Sequence, residues 1–103
     1  MDLKGFRTYQ LSLEFYQRCQ QVRMPSFLKT QLLRAASSIA LNLAEGSTRP
    51  KGSKDRARFY QIALGSLRES QAALDLNPQL VSLHEFADRL GGSVYRLCYP
   101  SVP

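Results

Sequence analysis

The chain has 103 residues, 44% of them hydrophobic, with a formal net charge of +6 and an isoelectric point near 9.8. These values exclude a fully disordered chain and favour one globular domain. No apolar run reaches the roughly 18 to 20 residues that span a bilayer, the N-terminus lacks a signal-peptide core, and Cys19 and Cys98 form no CxxC pair, so a cytoplasmic protein with two reduced, buried thiols is expected.

Proline and glycine divide the chain into four segments, and none shows the alternation of a strand. Helices are predicted at about residues 8–22, 27–45, 54–76 and 80–98. Because the connections are short, successive helices should run antiparallel. The predicted fold class is all-α, an antiparallel up-down-up-down four-helix bundle that forms a single domain over residues 1–103.

The first predicted helix is amphipathic. Tyr9, Leu13 and Tyr16 follow one face at helical spacing, and Phe15 and Cys19 follow an adjacent face. Both faces should pack against the rest of the bundle.

The second predicted helix is apolar around most of its circumference. Ser26 is the predicted N-cap, and Gly46 is expected to end the helix in the left-handed conformation. Its polar side chains fall within a sector of about 80° at 100° per residue: Gln31, Arg34, Ser38, Asn42 and Glu45. A helix apolar on three sides should be covered on three sides, so part of this surface is expected to lie against another subunit.

A basic segment follows the second helix. Its cations are Arg49, Lys51, Lys54, Arg56 and Arg58, and the one acid among them is Asp55. Clustered cations bind polyphosphate by releasing its counterions, which predicts a nucleic-acid site. The alternative is a solvated loop whose charge maintains solubility. Basic residues of the first segment are expected to extend the site, although a solvated helix face explains them equally well: Lys4, Arg7, Arg18 and Arg23.

The third and fourth predicted helices carry glycines in their interiors. Gly65, in the uncharged centre of the third, is unfavourable by about 1 kcal/mol relative to alanine, which suggests a close approach of two backbones. Gly91 and Gly92 predict fraying or a kink in the fourth. Its apolar seam alternates steps of three and four residues, as in bundle packing: Leu80, Leu83, Ala87, Leu90, Val94 and Leu97.

Two linked motifs carry a family resemblance over roughly residues 8–76. One is the Gln-Leu-x-Arg-Ala-x-x-Ser-Ile-x-x-Asn-x-Ala-Glu-Gly pattern ending at Gly46, and the other runs from Arg58 to Glu69. Together they resemble the bacterial four-helix-bundle proteins encoded in intervening sequences of 23S ribosomal RNA genes. That family includes the accessory variability determinant proteins of diversity-generating retroelements. The chain departs from the family pattern in lacking a first-helix tryptophan, in Leu33, which replaces the first of two adjacent arginines, and in a short connection around Pro25.

The resemblance implies an antiparallel bundle assembled into a homopentameric ring, with a basic surface for nucleic acid. In retroelement relatives the ring partners a reverse transcriptase and its RNA. The resemblance also implies signature positions with mostly structural roles, including the oligomer interface: Arg34, Asn42, Glu45, Gly46, Gly65 and Ser66.

The polar sector of the second helix allows two interpretations. Arg34 and Glu45 could form buried ion pairs with Glu69 or Arg68, across the bundle or a subunit boundary. Alternatively, the sector is a wet face. The apolar surroundings favour the structural network.

Signals for catalysis and metal binding are weak. His84 has no spaced companions for a zinc site or a Ser-His dyad. The segment from Gly46 to Lys54 does not fit the phosphate-loop pattern and follows no strand. No enzyme activity, catalytic residue, metal or cofactor is therefore predicted.

The leading hypothesis is a non-enzymatic homo-oligomer that binds RNA, or DNA, through its basic loop. An alternative is an accessory protein that docks onto a reverse transcriptase, with nucleic acid held mainly by that partner. A third class, an enzyme on a helical scaffold, would require a copurifying metal or cofactor.

Overall fold

A computed structural model describes residues 2–100, which form one short 3₁₀ turn and four α-helices. The 3₁₀ turn spans Leu3–Gly5. The helices are α1 (Arg7–Gln21), α2 (Ser26–Ser47), α3 (Lys54–Asp75) and α4 (Val81–Cys98). The predicted helices are confirmed, with boundaries that differ by one or two residues.

The helices form an antiparallel four-helix bundle, as predicted. α2 packs against α1 and α3, and α4 packs against α3 and α1, so each helix touches two neighbours. Thr8 at the start of α1 hydrogen bonds Ser93 near the end of α4, with 2.6 Å between the two hydroxyl oxygens. The bundle measures 40 × 25 × 21 Å, so its two ends are well separated.

The core follows the predicted apolar seams. Phe15 and Cys19 of α1 are fully buried, and Phe15 stacks on Phe86 of α4 with ring centroids 6.2 Å apart. In α4, the four central positions of the seam are buried, and Leu80 and Leu97 at its ends are partly buried. Cys98 is half-buried, so the expectation of a fully buried thiol was wrong for this cysteine.

Both predicted ends of α2 need correction. Ser26 is the first helical residue rather than the N-cap, a position that Pro25 holds. Gly46 lies inside the helix, which continues to Ser47, and the left-handed glycine is Gly52 with φ +79°. A Cβ on Gly46 would lie 2.6 Å from Cε1 of Tyr60. Gly46 therefore serves close helix packing and not helix termination.

The interior glycines of α3 and α4 differ from expectation, because the close contact between helices lies at Gly91 and not at Gly65. At Gly65, an added Cβ would meet nothing within 4 Å in the protomer, so the predicted close approach is not made there. At Gly91, it would lie 2.8 Å from Cδ2 of the buried Leu67. α4 continues as one helix through both glycines, so it does not fray there.

Candidate nucleic-acid interface

The basic segment forms a short turn between α2 and α3. Gly52 takes the left-handed conformation that the turn requires. Ser53 is the N-cap of α3, as predicted, and its hydroxyl accepts a hydrogen bond from the Arg56 backbone N–H at 3.1 Å. Sequence signals thus specify where this turn ends and where α3 begins.

Arg56 fastens the turn to the end of α2. Its Nε donates to the carbonyls of Gly46 and Arg49 at 3.1 Å each, and its Nη2 donates to the Ser47 carbonyl at 3.0 Å. The last carbonyls of a helix lack intrahelical partners. The guanidinium of Arg56 supplies hydrogen-bond donors for those at the end of α2. Arg56 was predicted to bind nucleic acid, but its Nε and Nη2 donate to the backbone, which fixes the side chain in the turn.

Two other arginines converge on one aromatic ring. The guanidinium carbons of Arg49 and Arg58 lie 5.0 and 5.4 Å from the centroid of Phe59. Arg49 also donates from Nη2 to the Glu45 carboxylate at 3.2 Å. Phe59 was not among the predicted site residues, although its place directly after Arg58 was the available signal.

Lys51 and Lys54 are exposed beside this cluster. The N-terminal segment lies at the same end of the bundle, since Phe6 packs near Tyr60 with ring centroids 6.1 Å apart. A cavity of about 390 Å³ lies next to the turn and reaches the end of α4. We call this region the basic end, and its exposed or half-exposed cations are Lys4, Arg7, Arg49, Lys51, Lys54, Arg56 and Arg58.

Arg18 and Arg23 lie at the opposite end of the bundle. Arg18 lines a cavity with Gln79 and Leu80 of the α3–α4 connection, and Arg23 lies in the α1–α2 connection. A helix of the length of α2 extends about 33 Å at 1.5 Å per residue. The prediction that these two arginines extend the loop patch is therefore wrong within one protomer, whereas Lys4 and Arg7 do share its end.

Comparison with known proteins identifies the family. Residues 5–89 match the sequence profile of the 23S rRNA-intervening sequence protein family. The chain belongs to this family. Among curated proteins, no sequence matches it.

The fold is also that of a solved structure. A protein of unknown function from the S23 ribosomal protein family of Bacteroides thetaiotaomicron superposes with a TM-score of 0.73. It is 19% identical in sequence, and the match covers 89% of this chain and 98% of the other. At this identity the likeness establishes the fold alone.

In this member of the family, the middle of the polar sector of α2 makes hydrogen bonds, while Glu45 at its end forms an ion pair with Arg49. Ser38 and Ser66 join α2 to α3 with hydroxyl oxygens 2.7 Å apart, and Asn42 Nδ2 donates to the carbonyl and hydroxyl of Ser38 at 2.8 and 3.1 Å. Ser66 thus links α3 to α2, Asn42 bonds within α2, and the place of both at an oligomer interface stays a prediction.

The predicted ion pairs of Arg34 and Glu45 with Arg68 or Glu69 are not formed within the protomer. Both residues are exposed, and within residues 2–100 the ion pairs are Glu14–Arg18 and Glu45–Arg49. Both side chains lie on an exposed outer face, where water solvates their charges. Burial therefore does not favour pairing with charged residues of α3. Pairing across a subunit boundary stays a prediction.

The family protein carries no helix, over its described residues, that is long and apolar enough to cross a membrane. Over the same residues, His, Cys, Asp and Glu form no group of three or more suited to holding a metal ion.

Proposed function

We propose that this protein is a non-enzymatic, homo-oligomeric helical bundle that binds nucleic acid through its basic end. RNA is favoured over DNA as the ligand. The cluster at the α2–α3 turn carries the proposal, since five cations lie within ten residues of sequence beside a single acid. Such a concentration of charge gives an affinity for polyphosphate that falls with salt. Contacts would be to backbone phosphates, which position a protein on nucleic acid without reading sequence.

The test is retention of labelled RNA in a filter assay across a range of salt concentrations. The informative variant is Lys51→Gln with Lys54→Gln, because both lysines are exposed and Arg56, which holds the turn, is left intact. We expect affinity at low salt to fall about tenfold and the salt dependence to lose a slope of about 1.5, for two phosphate contacts.

The matched control removes the same charge from the opposite end. In Arg18→Gln with Arg23→Gln, retention should stay near that of the wild type, since these arginines lie far from the turn. Equal losses in the two double variants would mean that binding follows net charge and not the basic end. Failure of the wild type to retain RNA at low salt would exclude the function.

The proposal of a homo-oligomer is supported by the outer surface of α2 and α3. Leu41 is 67% exposed and Ile62 is 42% exposed. They lie between two points where α2 meets α3, the Gly46–Tyr60 contact and the Ser38–Ser66 hydrogen bond. Exposed apolar side chains on neighbouring helices suit a subunit contact, and the family resemblance proposes a pentameric ring.

A second candidate function is that of an accessory protein docking onto a reverse transcriptase. The observation that favours it is the apolar character of the end opposite the basic one, where Phe27, Leu76 and Val81 are 69%, 67% and 59% exposed. Coexpression with a reverse transcriptase encoded nearby tests it. Copurification that is lost in Val81→Glu and kept in Lys51→Gln would support docking through this end, and retained copurification in both would oppose it.

A further inference from the structure

We propose that Arg49 and Arg58, placed over the Phe59 ring, form the principal phosphate site of the basic end, and that Glu45 occupies Arg49 in the free protein. The ligand is a phosphodiester of the RNA backbone. This inference rests on the proposed function and names the groups through which it acts.

The cations of the turn are not equivalent. Arg56 donates from Nε and Nη2 to three backbone carbonyls and so serves mainly to hold the turn. Lys51 and Lys54 are exposed, and their ammonium groups lie at the ends of long flexible side chains. They contribute mainly as point charges. Arg49 and Arg58 are the pair that the fold both orients and leaves accessible.

Phe59 provides the orientation. With their guanidinium carbons 5.0 and 5.4 Å from its centroid, both arginines are held by the ring. A guanidinium held over a ring loses less side-chain freedom on binding, and its planar fork can meet two phosphate oxygens at once. The contact with the ring uses no N–H donor, so the terminal N–H groups remain for a phosphate.

In the free protein, Glu45 accepts the hydrogen bond from Arg49 that a phosphate would accept in the complex. Its Oε2 accepts from Arg49 Nη2 at 3.2 Å, and the two side chains are 56% and 38% exposed. An exposed pair of this kind is weak, so a phosphodiester can displace it. The Nε of Arg49 is buried and donates to no acceptor among residues 2–100, so the terminal Nη groups are the donors of this guanidinium that a phosphate can reach.

The chain contains a closely matched control for Glu45. Glu14 and Arg18 form the other i,i+4 ion pair, at 2.7 Å, and Arg18 lies 4.5 Å from the centroid of Phe86. This pair has the same chemistry and a similar exposure but lies away from the basic end. Glu45→Gln and Glu14→Gln each remove one negative charge from an exposed i,i+4 pair, in which Glu14 accepts from Nε and Nη2 of Arg18 and Glu45 accepts from Nη2 of Arg49 alone.

RNA affinity is measured for both variants in the filter assay. We expect Glu45→Gln to bind about twofold more tightly, as suits the release of a weak exposed pair, and Glu14→Gln to bind as the wild type does. Equal affinities of the two variants, in a wild type that retains RNA, would overturn the phosphate site while the proposed function stands. A wild type that retains no RNA would overturn both.

A second measurement separates competition from long-range charge. In an Arg49→Gln background, Glu45→Gln should give no further gain, because the arginine it would release is absent. A gain of equal size in both backgrounds would show that Glu45 acts only as a nearby negative charge, and would overturn its competition for Arg49.

The ring itself is tested by its conservative variant. Phe59→Leu keeps an apolar side chain but removes the π face, and should weaken RNA binding about threefold while helicity by circular dichroism is unchanged. Phe59→Tyr keeps the face and should bind as the wild type does. Equal binding by the leucine and tyrosine variants would show that the ring does not position the arginines.

Discussion

Gly46 is the residue whose absent side chain matters most for packing α2 against α3. A Cβ there would meet Cε1 and Cδ1 of Tyr60 at 2.6 and 2.8 Å, and Cβ of Phe59 at 3.2 Å. Tyr60 is 5% exposed and is backed by Phe6, so its ring has little room to move. We expect Gly46→Ala to lower the free energy of unfolding by about 1 to 3 kcal/mol, measured by urea denaturation.

Gly92→Ala is the control for this prediction. It adds the same methyl group inside a helix, where the nearest atom would be Nη1 of the flexible Arg96 at 3.4 Å. Its expected effect is neutral or a gain of up to about 1 kcal/mol, from helix propensity. If both variants lose stability equally, the close approach at Gly46 is not the reason.

The two cysteines should differ in reactivity. Burial raises the pKa of Cys19 from 9.0 to about 12, against a smaller lowering by Lys29, and burial also raises that of the half-buried Cys98. The thiolate is the reactive form. We expect iodoacetamide at mildly alkaline pH to modify Cys98 before Cys19, and both to react faster in denaturant, as read by mass spectrometry.

The same shift has a consequence for pH dependence. The folded-state pKa of Cys19 lies above its unfolded value, so its stabilising contribution is intact below pH 9.0 and declines as the pH rises toward 12. In Cys19→Ala this part of the alkaline destabilisation should be absent. Faster modification of Cys19 than of Cys98 in the folded protein would contradict the burial that underlies both expectations.

At the scale of the helices, Arg56 is the link that sets how α2 meets α3. Arg56→Lys keeps the charge but cannot reproduce three N–H bonds to the carbonyls of Gly46, Ser47 and Arg49. Unsatisfied carbonyls at a helix end are unfavourable, so we expect a loss of about 1 to 2 kcal/mol in urea denaturation. Lys54→Arg, an equally conservative change at an exposed position, should have no effect. An unchanged stability in Arg56→Lys would remove the structural role assigned to this side chain.

The number, order and packing faces of the helices could be predicted from sequence because they depend on local periodicity and on proline and glycine. The role of Arg56 could not, because its acceptors are carbonyls of the preceding helix and turn, which come within reach only after the chain reverses. Gly46 and Gly91 were misjudged for a similar reason. Whether a helix packs closely against a glycine depends on a side chain from another helix, which is Tyr60 for Gly46 and Leu67 for Gly91.

The candidate site shows the same division. The cations of the turn were evident as a charge cluster, and the N-cap at Ser53 followed from local chemistry. The placement of Arg18 and Arg23 at the far end follows from the antiparallel path of α1, since both come late in that segment. Phe59 follows Arg58 directly in the chain, but its position under two arginines depends on the geometry of the turn, which no local pattern predicts.

On the scale of the whole molecule, the cation cluster of the turn and a group of exposed apolar side chains lie at opposite ends of the bundle. The basic end carries the turn and the N-terminal segment, while Phe27, Leu76 and Val81 are exposed at the other end. A ring of such protomers with its axis along the bundles would gather the basic ends on one face. Repeated copies of a weak phosphate site then act together, and avidity exceeds the affinity of one protomer.

We predict that one substitution outside the basic end disrupts assembly and weakens RNA binding with it. Leu41→Glu places a charge on the outer face of α2, where the side chain is 67% exposed and outside the protomer core. We expect light scattering to show a fall from an oligomer to a single protomer with helicity retained, and RNA retention to weaken although the basic end is intact. Val81→Glu, at a similarly exposed position on the far end, should leave the mass unchanged. A closed ring needs each protomer to present an apolar surface that the next protomer covers. Assembly through this face would therefore be contradicted by a wild type that is a monomer at micromolar concentration, or by a Leu41→Glu variant with the mass of the wild type.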